Sequence, residues 1–187
     1  MSWVITEPED YFVAIGKNPP ETRLAPEFNG ISSYATLDIQ LTNANTVKVK
    51  FIASPGSGMF LDSSDRSAFI SFRSDGTIQR SSNIGNLKLD GALVVNNTTL
   101  YPTDGLVHEF EFTPNADAII DTIACEYRRD RSFINKIIFD LIVDDGTVYN
   151  FKMNDGWPKN PLMENSGSGA SGEYKNLTQS MWKLINV

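Results

Sequence analysis

The sequence is short of cysteine and histidine, with only Cys125 and His108 in 187 residues. A single cysteine allows no disulfide within the chain, and one cysteine with one histidine cannot supply a histidine-based zinc site. Cys125 follows an apolar run at residues 119–124, which is typical of a buried, unreactive thiol. His108 shares strand parity with Phe110 and Phe112, so we predict a strand-boundary residue satisfied by a hydrogen bond, not a catalytic base.

Basic residues and long apolar runs are also scarce. The 16 lysines and arginines are outnumbered by 23 aspartates and glutamates, giving a net charge of -7. This charge argues against nucleic acid as the main partner, because such binding depends on basic patches. No apolar run approaches the roughly 20 residues of a membrane span, and MSWVITEPEDYF has neither the basic region nor the apolar core of a signal peptide. We therefore expect a protein without a membrane span that is either cytoplasmic when made or exported by a route that the sequence does not show. A protein that assembles in the cytoplasm and later leaves by lysis would have such a sequence.

Short apolar runs separated by turn residues about every ten positions dominate the sequence. The densest pair, residues 137–143 and 147–153, is joined by Asp144, Asp145 and Gly146, and Asp-Gly between two such runs predicts a hairpin. No segment keeps a helical period over three turns. We predict an all-β sandwich of two antiparallel sheets. Shared parity on alternating strands predicts a core of Val49, Phe51, Phe110, Phe112, Phe139, Leu141 and Phe151.

The first 27 residues differ in composition from the rest of the chain. Four prolines at positions 8, 19, 20 and 26 predict an irregular segment. The apolar side chains of this segment make it unsuitable as a free linker. We therefore divide the chain into an N-terminal arm, residues 1–27, and a sandwich domain, residues 28–187. The arm is expected to dock on the domain or on a neighbouring subunit through Trp3, Tyr11, Phe12 and Ile15.

Three stretches, taken in order, resemble concanavalin A-like lectin domains of the LamG type. The matching residues are Phe28, Gly30, Ser33, Tyr34 and Leu37 in the first stretch; Phe133, Ile137, Asp140, Leu141, Val143, Asp145 and Gly146 in the second; and Asn165, Gly167, Gly169, Gly172 and Trp182 in the third. The resemblance implies a concanavalin A-like jelly-roll sandwich with Tyr34 in its core. Domains of this kind with a C-terminal segment of this type are carried by bacteriophage proteins.

This resemblance implies a non-catalytic virion protein, which is a head decoration, a fibre or a tail component made in the host cytoplasm. Its partners would be other virion proteins or copies of itself. The alternative is a carbohydrate-binding module or lectin, with a cell-surface glycan as its ligand. The candidate sugar-binding residues are Trp157, Tyr174, Trp182, Asp155 and Asn165. A purely structural role for the aromatic residues stays open and is favoured, since buried tryptophan is common.

A glycoside hydrolase is the third alternative for this fold. Retaining enzymes need two carboxylates about 5 Å apart. Glu109 and Glu111 have the strand parity, but the E-x-D-x-E pattern of glucanases with this fold is missing. The sequence therefore predicts no glycosidase activity.

Calcium is the candidate cofactor, because LamG-like domains often hold this ion at the rim of the sandwich. Calcium binds to several carboxylate and carbonyl oxygens. Asp144 and Asp145 are the candidate ligands, with Asp62 and Asp65 as a second pair. Aspartate in turns normally serves turn geometry, so the sequence selects no complete ligand set.

Overall fold

The computed structural model describes residues 22–29, 32–63, 67–115, 117–123, 136–152, 162–163 and 165–186. Regular structure in these residues consists of strands and two short 3-10 turns, Asp144–Gly146 and Gln179–Met181. The strands are β1 (Thr22–Phe28), β2 (Tyr34–Leu41), β3 (Val47–Ala53), β4 (Gly58–Asp62), β5 (Ile70–Phe72), β6 (Ile78–Arg80), β7 (Ile84–Leu89), β8 (Ala92–Leu93), β9 (His108–Pro114), β10 (Ala118–Ile123), β11 (Lys136–Val143), β12 (Tyr149–Lys152), β13 (Leu162–Met163), β14 (Gly172–Lys175) and β15 (Trp182–Asn186). In this part of the chain, no helix has the length and apolarity needed to cross a bilayer.

The strands form two sheets in which neighbours run antiparallel. The first sheet has the order β15-β1-β11-β3-β9-β7-β8, and β12 also pairs with β11. The second has the order β13-β14-β2-β10-β4-β5-β6. The sequence-based prediction of an all-β protein with antiparallel sheets is confirmed. The β11–β12 hairpin is confirmed too, since Val143 pairs with Tyr149 across Asp144, Asp145 and Gly146.

Aromatic rings from the two sheets meet in one core. Phe110 of β9 stacks on Phe51 of β3 at a centroid distance of 4.7 Å, and it meets Phe60 of β4 edge-on at 5.3 Å. Residues with alternate positions in a strand share a face, and this parity places the predicted core correctly. Val49, Phe51, Phe110, Phe112, Leu141 and Phe151 are all buried. The side chain of Phe139 lies outside those that the structure describes.

The expected core position of Tyr34 is wrong. The strand β2 begins at Tyr34, and its buried face consists of the odd-numbered residues Ala35, Leu37, Ile39 and Leu41. Tyr34 is half-buried because alternation places it on the other face, with Thr36 and Asp38. Its neighbour Ala35 takes the core position.

The irregular conformation expected for residues 1–27 is wrong at its end, because residues 22–28 form β1. Pro26 lies inside this strand, opposite Trp182 of β15. Among the described residues, Glu27 and Phe28 are the ones of β1 that pair with β11. At Pro26 the strand therefore has a described partner on one side, as in the edge strands where proline is tolerated.

Candidate interaction surface

A 14-residue connection between β8 and β9, residues 94–107, is called the edge loop here. It runs beside β6, the last strand of the second sheet, after leaving β8, the last strand of the first. The Ile78 amide donates to the Thr99 carbonyl (2.9 Å), and the Asn97 amide donates to the Ile78 carbonyl (2.8 Å). The edge loop therefore pairs with an edge strand that would otherwise expose its backbone.

Tyr101 anchors the edge loop in the core. Its ring is buried and stacks on Phe72 at 4.4 Å. Its amide donates to the Gly76 carbonyl at 3.0 Å. Its hydroxyl accepts from the Gly56 amide (2.9 Å) and donates to the Gly56 carbonyl. An open groove of about 490 Å³ lies beside this anchor, lined by Pro55, Gly56, Ser57, Ser74, Asp75, Gly76, Leu100, Tyr101 and Thr103.

Most of the exposed large apolar side chains of the described residues lie on this loop or next to it. Five of these six are Leu93 (66% exposed), Val95 (59%), Leu100 (65%), Leu106 (64%) and Val107 (37%). The sixth, Leu184, is on β15. Apolar side chains concentrated in one exposed segment mark interaction sites. A loop already held by backbone hydrogen bonds also has less conformational freedom to lose on binding.

The edge loop ends at His108, whose ring lies between two carboxylates. The Nδ1 atom is 2.6 Å from Asp90 Oδ2, and Nε2 is 3.0 Å from Asp104 Oδ1. Partial burial acts to lower the pKa of His108, but the hydrogen bonds to Asp90 and Asp104 outweigh it and raise the pKa above its ordinary value. The prediction of a boundary histidine satisfied by hydrogen bonding is confirmed.

Glu109 and Glu111 lie on the outer face of β9, on either side of the buried Phe110. The Glu111 carboxylate contacts Lys88 at 2.7 Å and Lys48 at 3.6 Å. The hydrogen bond from Lys88 lowers the pKa of Glu111. A glycosidase acid needs a raised pKa, so this environment suits a structural ion pair.

Both carboxylate oxygens of Asp144 accept hydrogen bonds from the protein, and these bonds join two turns. Its Oδ1 accepts from the Thr46 amide at 2.9 Å, and its Oδ2 accepts from the Asn45 amide side chain. Asp145 is exposed, and Asp62 is buried. Within the described residues, no three histidine, cysteine, aspartate or glutamate side chains lie together as a metal site. Asp65 lies outside them.

Three of the predicted sugar-binding residues, Tyr174, Trp182 and Asn165, lie among the described residues. Tyr174 is buried and meets the half-buried Trp182 edge-on at 5.3 Å. The ring of Tyr174 packs in the core, as the structural alternative for these aromatic residues expects. Trp157 and Asp155 lie outside the described residues.

Asn165 acts as a structural amide in a segment called the glycine strap here, residues 165–169. Its Oδ1 accepts from the Asn150 amide (2.8 Å) and from the Gly167 amide (2.8 Å). Its Nδ2 donates to the Val148 carbonyl at 3.1 Å. These hydrogen bonds hold the glycine strap along β12, so the side chain of Asn165 has a structural role.

The sequence matches no protein-family model, no curated protein and no solved structure. The sequence pattern did not lead to the edge loop, although Leu93 just before it and Val95, Leu100, Leu106 and Val107 within it interrupt a stretch rich in turn residues. Such a pattern indicates a loop that displays apolar side chains. The predicted arm residues Trp3, Tyr11, Phe12 and Ile15 lie outside the described residues.

Proposed function

We propose that this chain is a non-catalytic structural protein of a bacteriophage virion, where it serves as a head decoration, a fibre or a tail component. In this proposal its fold is a concanavalin A-like jelly-roll sandwich, and its partners are other virion proteins or copies of itself. Two kinds of support apply. The first is the resemblance to LamG-type domains described above. The second is the all-β architecture with two antiparallel sheets around one core.

The observation that carries the proposal is the edge loop. It combines a backbone held to β6 and to the core with exposed side chains of leucine and valine. The core of a protein–protein interface is apolar, so an assembly protein would bury such a surface against its partner. The environments of Glu111 and Tyr174 described above are in keeping with this, since one is an ion-pair partner and the other is a core residue.

Substitutions at Leu106 in the edge loop and at Leu93, the residue just before it, test the proposal. The protein should sediment with purified virions. An antibody specific for the protein should label the virions in electron micrographs. Leu93→Lys and Leu106→Lys, each placing a charge in the buried contact, should each weaken binding about tenfold or more, as loss of an interface hot spot does. Leu184→Lys is the matched control, because Leu184 is equally exposed on β15 (62%) and outside the loop.

Three results would count against the virion proposal. They are the absence of the protein from virions, unchanged binding by both loop variants, and an equal loss with Leu184→Lys. Binding to a glycan array that is lost when Asp75 in the groove is replaced by alanine would favour the lectin alternative instead.

The arm makes a separate prediction. Deleting residues 1–15 should leave the thermal unfolding midpoint of the sandwich unchanged and abolish self-association or virion attachment, because Trp3, Tyr11, Phe12 and Ile15 are removed together. Sedimentation velocity at matched protein concentrations measures this. A truncated protein that assembles as the full chain does would show that the arm covers only its own domain.

A further inference from the structure

Asp90, His108 and Asp104 come from three different pieces of the chain. Asp90 occupies the β7–β8 turn with a φ of 50°, His108 is the first residue of β9, and Asp104 lies in the edge loop. Both carboxylates are also held by backbone amides: Asp90 Oδ1 accepts from Glu109 N (2.9 Å), and Asp104 Oδ1 accepts from Leu106 N (2.9 Å). The acceptors are therefore positioned on both sides of the ring.

Counting hydrogens shows which state of the ring this geometry requires. A neutral imidazole has one N–H and one bare nitrogen, whereas the imidazolium ion has two N–H groups. Ionised carboxylates only accept hydrogen bonds. Both contacts of His108 are satisfied together only when the ring is protonated. In the neutral ring, one lone pair faces a carboxylate oxygen, and that contact becomes repulsive.

Few other groups bear on this cluster. Of the charged groups that the structure describes, Asp90 and Asp104 are the two that contact the ring. From β3 the neighbour is the uncharged ring of Phe51, at 6.2 Å. Lys50 of β3 and Glu109 of β9 pair with each other at the next register position, where side chains point to the opposite face.

We propose that Asp90, His108 and Asp104 form a proton-operated latch, which holds residues 102–107 of the edge loop against β9 and releases them when His108 loses its proton. The neutral ring keeps its proton on Nδ1, where the contact to Asp90 is the shorter one, so the Asp104 side separates. Within the described residues, the His108–Asp104 contact is the hydrogen bond that ties residues 102–107 to a strand. The latch does not depend on whether the edge loop binds a partner.

The two pKa shifts define the pH range in which the latch is closed. The pKa of His108 is raised. The stabilisation of the closed latch by protonated His108 is therefore complete below the ordinary pKa of 6.5 and is lost as the pH rises through the folded-state pKa. The hydrogen bond from His108, followed by that from the Leu106 amide, lowers the pKa of Asp104. The stabilisation of the closed latch by the Asp104 carboxylate is complete above the ordinary pKa of 3.8 and is lost as the pH falls through the lowered pKa. The latch is therefore closed between these ordinary values and opens on the alkaline side.

Two substitutions that remove the same charge distinguish this latch from a simple ion pair. In Asp90→Asn the new amide nitrogen can donate to a bare Nδ1, while Nε2–H donates to Asp104, so a neutral ring satisfies every contact. In Asp104→Asn the amide oxygen accepts from Leu106 N and from Nε2, and Nδ1 must still carry a proton for Asp90. The latch of Asp90→Asn should therefore stay closed at high pH, and the latch of Asp104→Asn should still open.

The experiment follows His108 by NMR from about pH 5 to about pH 9, which spans the range in which histidine titrates. It also records the heteronuclear NOE of the Gly105 and Leu106 amides. In the native protein, the His108 midpoint should lie above 6.5, and both NOE values should fall with the same midpoint. In Asp90→Asn the two NOE values should not fall with pH. In Asp104→Asn they should still fall, and the midpoint of the fall should lie at a lower pH than in the native protein. Glu109→Gln, a matched charge change on the opposite face of β9, should behave as the native protein does.

The proposal is overturned if His108 titrates while the two NOE values stay constant. It is overturned equally if the latch of Asp90→Asn opens at the same pH as that of the native protein. The same holds if the NOE values of Asp90→Asn and Asp104→Asn depend on pH in the same way. In each of these cases the two carboxylates only neutralise the histidine, and the edge loop is held by other contacts.

Discussion

Replacing Phe110 by alanine is expected to lower the free energy of unfolding by about 3–5 kcal/mol. The ring of Phe110 has no exposed surface, and it contacts Phe51 of the first sheet and Phe60 and Phe72 of the second. Its removal leaves a cavity between two sheets whose backbone hydrogen bonds prevent them from closing around it. Urea denaturation followed by circular dichroism measures the change.

Leu184→Ala is the control for this prediction, because it also shortens a large apolar side chain, but at an exposed position on β15. It should change the stability by no more than about 0.5 kcal/mol. A loss of less than about 1 kcal/mol for Phe110→Ala would be too small for a buried phenylalanine. Such a result would mean that Phe110 does not join the two sheets.

The Gly169→Ala substitution is expected to destabilise the protein by about 1–3 kcal/mol, the usual result of overpacking. A Cβ at this position would lie 2.2 Å from Cε1 and 2.5 Å from Cζ of Tyr149. Tyr149 cannot turn aside without loss, since its ring is buried and its hydroxyl donates to the Asp38 carbonyl at 2.7 Å. Thermal unfolding by calorimetry measures the effect.

Ser171→Ala provides the comparison, at an exposed position two residues after the glycine strap. It should leave the unfolding temperature almost unchanged. If Gly169→Ala is equally harmless, the glycine strap does not lie against Tyr149. In that case the glycines at 167 and 169 would have no packing role.

Strand identity and core parity could be predicted from the sequence because both are local properties. In β3, Val47, Val49 and Phe51 alternate with Lys48 and Lys50, and a period of two fixes which side chains share a face. The Asp-Gly signal at residues 145–146 located the β11–β12 hairpin in the same way. The one core position that proved wrong, Tyr34, was expected from the resemblance to LamG-type domains and not from parity.

The strand β1 illustrates the limit of local rules. Its proline predicted an irregular segment, but the effect of a proline depends on whether a neighbouring strand needs its amide hydrogen. Pairing with β15 at Pro26 brings together residues that are distant in sequence, as the register of Pro26 with Trp182 shows. No property of residues 22–28 alone reveals this partner.

The sequence by itself determined an acidic all-β protein, the β11–β12 hairpin and the six core side chains confirmed above. The tertiary structure alone decided which surface residues act together. Asp90, Asp104 and His108 meet because a turn, a loop and a strand end converge. The edge loop displays Leu100 between Thr99 and Tyr101, whose backbones are bonded to β6 and to the turn before it. Alternation and turn signals act over a few residues, whereas these contacts depend on how two sheets are laid together, and that arrangement is set by the whole core.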